Sequence, residues 1–432
     1  MMDSVWPYWG SGTTRGRTAM RRPDPGPPPE LTLKERNGYI TQTRSYKLIT
    51  PLFGGGIEPQ RPDPVTVVRA TSIRGQLRFW WRATRGGNYT TVAELKKAED
   101  ALWGAASNEK GGGPSKVEIA LYTWTKPKEV KAFIPDPRNS KLTVGEPRSP
   151  YSYGAFPLNE TRGSVYEHIE FTISISFPNT AEDRLDVEAA LWAWETFGGI
   201  GGRTRRGFGA LELLQVDGVA PDDRPAARRE DVVRWLRQRL ETYTTGAILI
   251  REWPQVTADS LMVITQPYSS PLEGWKFLIK QLRQFRNRQL NRWPDADSVR
   301  RITKQSYKGK SAIPAGRNIF PRAVFGLPII FHFKDNNRGD PDDATLQGVA
   351  HDRLASPLIL RPLACADNRY IGLALVLHAP RTPPDGLKLK GYAPSDPLTI
   401  KLNDEEAANV LSLNGKTDVL RAFLDYLEGA AK

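Results

Sequence analysis

The sequence predicts an α+β fold with antiparallel sheets, and three observations predict it. Phe171, Ile173, Ile175 and Phe177 alternate with polar residues, the two-residue period of a half-buried strand. Ile73, Leu77 and Trp80 recur at i, i+4 and i+7, the period of a helix with one apolar face. Segments of these two kinds follow one another as strand, helix, strand, strand, helix, strand over residues 37–220, the split βαβ or ferredoxin-like (RRM-like) order. Such a sheet binds single-stranded RNA when its open face is suitably furnished.

Taken along the chain, residues 1–36 carry Pro23, Pro25, Pro27, Pro28 and Pro29 and read as a disordered Pro/Gly-rich arm, since proline supports neither ladder nor helix. Tyr39 to Thr50 reads as a strand with Tyr46 and Leu48 on one face. After a Gly/Pro-rich loop, Ser72 is placed to cap the helix of Ile73, Leu77 and Trp80. A second helix spans Val92 to Trp103 and stops at Gly104. Val117, Ile119 and Leu121 alternate as a strand. Thr180 with Asp183 resembles a capping box and opens a helix through Val187, Leu191, Trp194 and Phe197. Gly198 to Gly209 interrupts it, and Leu211 to Val216 returns as a strand. Pro221 to Arg229 is a connector. Residues 221–432 form a second α+β domain, with helices at Asp231–Leu240, Leu272–Leu290 and Thr417–Leu427. Its strands are expected at Phe325–Phe333, Ser356–Leu363 and Tyr370–His378, in an order the pattern leaves open.

Lys and Arg total 61 against 48 acids, a formal charge of +13, which points to a polyanionic partner, either nucleic acid or an anionic membrane surface. No apolar run approaches the roughly 18 residues of a spanning helix, so no membrane partner of that kind is expected. One cysteine, Cys365, excludes a disulfide framework and a Cys-based metal finger. His168, His332, His351 and His378 are scattered, with no two at a metal-ligand spacing. His332 and His378 fall inside apolar strands and read as satisfied core histidines. No serine sits in a nucleophile elbow and no carboxylate pair stands out. The expectation is a soluble, cytoplasmic, basic protein with no catalytic residue, metal or cofactor.

Three motifs bear on binding. In GGIGGRTRRGFG, Gly198–Gly209, glycines reach positive φ and permit close backbone approach. Arg203, Arg205 and Arg206 add planar donors matched to phosphate oxygens beside Gly201 and Gly202, and Phe208 either braces the loop or stacks on a base. The run lacks the glycine and lysine spacing of a P-loop and the third glycine of a dinucleotide fingerprint. A flexible turn with solvated arginines is the competing reading. In TSIRGQLRFWWR, Arg74, Arg78 and Arg82 are spaced by four on one helix face, where like charges repel unless a polyanion lies along them. Stems that merely cover Trp80 and Trp81 give the alternative. From Lys280 to Lys310, ten basic residues face only Asp295 and Asp297. There Arg283, Arg286, Arg288 and Arg292 are interleaved with Phe285, Trp293 and Tyr307, the mixture of a single-strand groove, with Trp293 and Tyr307 as stacking candidates.

TPLFGGG (Thr50–Gly56), SIRGQLRFWWR (Ser72–Arg82), the Glu99–Gly104 segment and GGIGGRTRRGFG together resemble the RAMP superfamily of CRISPR proteins. With FGLPI (Phe325–Ile329) and RLASPLILRP (Arg353–Pro362), the resemblance is more specifically to subunit one of the Cmr, type III-B, complex, in islands over residues 40–365. It implies two ferredoxin-like domains and a place in a multi-subunit, RNA-guided effector. The implied partners are CRISPR guide RNA near its 3′ part, single-stranded target RNA and the other Cmr subunits. Cutting of target is implied to belong to another subunit, which makes this one a non-catalytic RNA-binding component. The alternative within the superfamily is a metal-independent endoribonuclease processing CRISPR RNA through a histidine such as His168 or His351.

Overall fold

In the computed structural model, which describes residues 36–58, 60–108, 111–144, 152–287, 291–309, 315–393 and 396–431, the first strand lies inside its sheet. β1 (Tyr39–Leu48) pairs antiparallel with both β3 (Glu170–Pro178) and β4 (Leu211–Val216), and β3 pairs with β2 (Glu118–Trp124). The order is β4–β1–β3–β2. Register follows the apolar alternation: Tyr46 stands opposite Phe171 on one side and Leu213 on the other. A slip by one residue would turn Phe171, Ile173, Ile175 and Phe177, all buried, to the opposite face.

Helices α1 (Ala70–Arg85) and α3 (Ala181–Phe197) cover that buried face. Ile73, Leu77 and Trp80 of α1 meet Val187, Leu191, Trp194 and Phe197 of α3 over the sheet, each large side chain contributing roughly 1.5–3 kcal/mol by burial. α1 begins two residues before Ser72, at Ala70, and has no side-chain cap, so Ser72 is not its N-cap. α2 (Val92–Trp103) has the bounds its sequence predicts. It opens on a reciprocal Thr91–Glu94 capping box and ends at Gly104, whose φ is +79°. Thr180 caps α3, its Oγ1 accepting from the Asp183 backbone N–H at 3.1 Å.

The opposite face of the sheet is plain. On its two central strands the alternation places Thr41, Thr43, Ser45, Lys47, Thr172, Ser174 and Ser176 there, and the hydroxyls pair with one another: Thr41 with Ser176 at 3.1 Å, Ser45 with Thr172 at 3.0 Å. The same alternation places half-buried Tyr39, opposite Pro178 at the start of β1, on this face as its aromatic residue on the two strands.

After α4 (Arg229–Tyr243), β5 (Met262–Tyr268) leads into α5 (Pro271–Phe285), capped by Ser270 and ending before Leu290. A short helix α6 (Asp295–Thr303) follows, then β6 (Ile329–Phe331), β7 (Ala344–Gly348), β8 (Leu358–Ala364), β9 (Tyr370–Val376) and β10 (Leu387–Leu389). α7 (Val419–Ala430) closes the chain. β5, β9 and β8 form a second antiparallel sheet in that order, and β6, β7 and β10 a third. Trp275, Leu278, Leu282 and Phe285 of α5 and Leu420, Phe423 and Leu427 of α7 pack with Leu358, Leu360, Ala374 and Val376. β5, β7 and β10 were not legible in the sequence, and the expected strand Phe325–Phe333 is a strand only over Ile329–Phe331, with Phe325 ending a 3₁₀ turn that begins at Pro321. Residues Gly38–Lys432 form one compact unit, and the expected Pro/Gly-rich arm falls, but for Arg36, outside the described residues.

Candidate nucleic-acid interface

The glycine-rich segment joins α3 to β4, and its glycines are there for close approach. Gly202 N–H donates to the Phe53 carbonyl at 2.7 Å, Gly209 N–H to Pro51 at 2.8 Å, and Thr50 Oγ1 donates to the Gly207 carbonyl at 2.6 Å. Gly201 has φ +79°, and a Cβ on it would come within 2.5 Å of Leu52 Cδ1 and 2.7 Å of the Phe53 carbonyl oxygen. The loop Thr50–Gly56 and the loop Gly198–Gly209, far apart in sequence, are thus laced into one structure.

Arg203 sits at φ +57°, a left-handed conformation that costs a non-glycine residue about 1–2 kcal/mol. The turn Thr204–Arg206 that follows throws its side chains toward the second half of the chain. Arg205 donates to the Ser356 carbonyl and lies 5.4 Å from the Phe79 ring centre. Arg206 donates to the carbonyls of Phe325 at 2.7 Å and Leu358 at 3.1 Å, while its own carbonyl accepts from Trp275 Nε1 at 2.6 Å. Arg286, at the C-terminal end of α5, lies 5.4 Å from the Phe325 ring and donates to Tyr153 Oη at 3.4 Å. Arg203 lies between two rings, 5.7 Å from Phe53 and 5.0 Å from Phe156. All four remain partly open to solvent.

Charge compensation separates this cluster from four other half-buried arginines. Arg44 is paired with Glu195 at 2.8 Å, Arg85 with Asp186 at 2.8 Å, and Arg78 and Arg82 both with Glu99. Among the described residues no carboxylate pairs with Arg203, Arg205, Arg206 or Arg286, and the Nε atoms of Arg203 and Arg286 are buried without a hydrogen-bond partner. Burial pushes Arg203 down to about 10, with Arg286 adding to the effect, and Arg205 to about 10. Arg206 falls to about 9 through burial first and then the charges of Arg286 and Arg203. All three stay protonated at neutral pH. The result is concentrated positive charge whose repulsion an anion would relieve, with planar donors suited to phosphate.

Several residues expected to bind are placed elsewhere. Arg78 and Arg82 do not present a free cationic ladder: buried Glu99 of α2 pairs with both, Asp100 lies 3.5 Å from Arg78, and Arg82 also lies 4.9 Å from the Trp253 ring. Arg74, on the same helix, is half-buried with its Nε unpartnered. Phe208 is no stacking platform, because it is fully buried with ring centres 4.8 Å from Trp275 and 5.4 Å from Phe53; it braces the loop. Trp293 is likewise a core residue, its Nε1 donating to the Phe285 carbonyl at 3.2 Å. Arg283 is exposed on α5 and Arg288 lies outside the described residues. His332 is exposed and bonded to Asp343 at 2.8 Å, not a core histidine, whereas half-buried His378 meets Thr257 Oγ1 at 3.1 Å. His168 and His351 are exposed, and burial pushes the Cys365 thiol up to about 12, leaving it protonated and packed. Tyr153, Phe156 and the carbonyls of Phe325, Ser356 and Leu358 were not foreseen. Phe325, Ser356 and Leu358 do lie in the FGLPI and RLASPLILRP islands, so four separate sequence islands converge on one place.

Comparison with known proteins agrees with the resemblance read from these islands. Residues 45–212 match the RAMP superfamily. The chain is 26% identical over 185 residues to the Cmr subunit Cmr1-2 of Pyrococcus furiosus, covering 38% of this chain and 90% of that one. To Cmr1-1 of the same organism it is 26% identical over 161 residues, 36% of this chain and 43% of that one. Among solved structures, apo Cmr1 from Pyrococcus furiosus is similar with TM-score 0.48 and 15% identity, over 90% of this chain and 96% of that one. A chain of a type III-B Cmr-beta complex bound to cognate target RNA gives TM-score 0.48 and 11% identity, over 91% and 99%. No helix among the described residues is long and apolar enough to cross a membrane.

Proposed function

We propose that this chain is a non-catalytic RNA-binding subunit of a type III-B CRISPR (Cmr) effector complex, and that Arg203, Arg205, Arg206 and Arg286 receive the ribose-phosphate backbone of guide RNA, near its 3′ part, or of the guide–target duplex. One observation carries the reading: four arginines gather at one place with no carboxylate paired to them among the described residues, while Arg44, Arg78, Arg82 and Arg85 each have a carboxylate partner. The RAMP match and the Cmr subunits among its relatives supply the setting, with other Cmr subunits as partners and the cytoplasm as compartment. Backbone contacts of this kind are blind to sequence, which suits a complex in which base pairing supplies specificity.

Both halves are read as ferredoxin-like. The order β4–β1–β3–β2 is the split βαβ arrangement over residues 37–220. Over residues 221–432, β5–α5–β8–β9–α7 with sheet order β5–β9–β8 repeats it up to the second helix. The proline-rich arm before them is read as a disordered tether.

Replacing Arg203 and Arg286 together by Gln is expected to weaken single-stranded RNA binding at least about tenfold. The slope of log affinity against log salt should become shallower by about 1.4, at ~0.7 for each phosphate no longer neutralised. Double Lys replacement keeps the slope. A slope and affinity unchanged in the Gln variant remove this cluster from the site.

No step of RNA cleavage is assigned to the chain, because the groups acting on the cluster's charges are arginines and Tyr153, not an imidazole. Incubated with guide-repeat RNA in EDTA, the protein should leave the RNA intact. A site-specific cut lost on His168→Ala or His351→Ala would establish the endoribonuclease instead.

A further inference from the structure

Phe156 is the one phenylalanine, among those whose burial is described, that is largely exposed, at 58%. It is not a loose surface residue. It occupies a turn pinned on either side by Ala155 and Leu158, both fully buried in the core that holds Phe53, and its carbonyl accepts from Asn159 N–H at 3.0 Å. Arg203 lies 5.0 Å from its ring centre, and Tyr153, three residues earlier in the same turn, is the hydroxyl that Arg286 reaches. A largely exposed aromatic ring therefore stands at the rim of the uncompensated arginines, with the Arg203 guanidinium over one of its faces.

Resting on the RNA reading above, we propose that Phe156 is the base-stacking side chain of this site. A single-stranded nucleotide sets its phosphate against Arg203 and Arg286 and its base on the ring of Phe156. Every base has a π-face, so stacking of this kind adds affinity without reading sequence, and a ring already fixed by its turn and its arginine loses little freedom on binding.

The test uses the full chain and two probes of equal length: an oligouridylate, and an abasic ribose-phosphate strand that keeps the phosphates and lacks the bases. The unsubstituted protein should bind the oligouridylate on the order of tenfold more tightly than the abasic strand. Phe156→Ala should abolish that preference while keeping the salt slope, and Phe156→Trp should retain the preference. A preference that survives in Phe156→Ala, or that Phe156→Leu keeps in full, overturns the stacking role. No salt-dependent binding of either strand by the unsubstituted chain overturns the RNA reading itself, a separate outcome from loss of the base preference alone.

Discussion

Glu99→Ala is expected to destabilise the protein by about 3–5 kcal/mol, seen as a lowered denaturant midpoint at unchanged m-value. Glu99 is buried at 3% exposure on α2, and its Oε1 takes Arg78 Nε at 2.6 Å and also Arg82 from α1. Both arginines are mostly covered, so loss of the carboxylate leaves two guanidinium groups one helical turn apart with no counter-charge between them. Asp100, 3.5 Å from Arg78, compensates one of them in part. Glu99→Gln keeps the shape and the acceptor but not the charge, and should fall between the two. A loss below about 1 kcal/mol for Glu99→Ala would show that solvent already screens the pair. It would also make Arg78 and Arg82 available to a polyanion again.

Arg361→Met should cost about 2–4 kcal/mol and weaken RNA binding through a residue that cannot touch RNA. Arg361 of β8 is fully buried and faces no carboxylate. Its charge is held by carbonyls: Gly198 at 2.7 Å, Leu211 at 2.8 Å and its neighbour Pro362 at 3.0 Å. Gly198 closes α3, so one of these acceptors is at the negative end of a helix. The residue ties the second sheet to both ends of the glycine-rich loop, at the point where Gly198 enters it and Leu211 leaves it. Methionine fills the volume but leaves those carbonyls short of donors at about 1–3 kcal/mol each, offset by relief of a buried cation. Lysine cannot span both carbonyls with a planar fork and should not rescue. Measured well below the melting temperature, RNA affinity should drop in both variants; full affinity in a destabilised Arg361→Met protein would show that the loop holds its shape without this tie.

The two effects share a cause that a sequence does not display. Arg78 and Arg361 are each one arginine among many in the chain, and only the position of Glu99 or of two carbonyls makes one a structural ion pair and the other a staple. The glycine-rich loop was legible because its glycine spacing and three arginines lie within twelve residues. Arg286 and the island of Phe325 were legible too, but not that they join Tyr153 at this loop, since they come from elements far away along the chain. Trp293 and Phe208 misled for a related reason: an aromatic beside basic residues looks alike in sequence whether it faces a groove or the core.

By itself the sequence determined the α+β alternation, the first sheet's strands and helices, the α2 bounds and the location of the cationic loop, because period, caps and turn residues act over a few neighbouring positions. Tertiary structure alone decided which arginines are neutralised and which stand uncompensated. Charge pairing depends on distances of about 3–4 Å between side chains whose separation along the chain carries no such information.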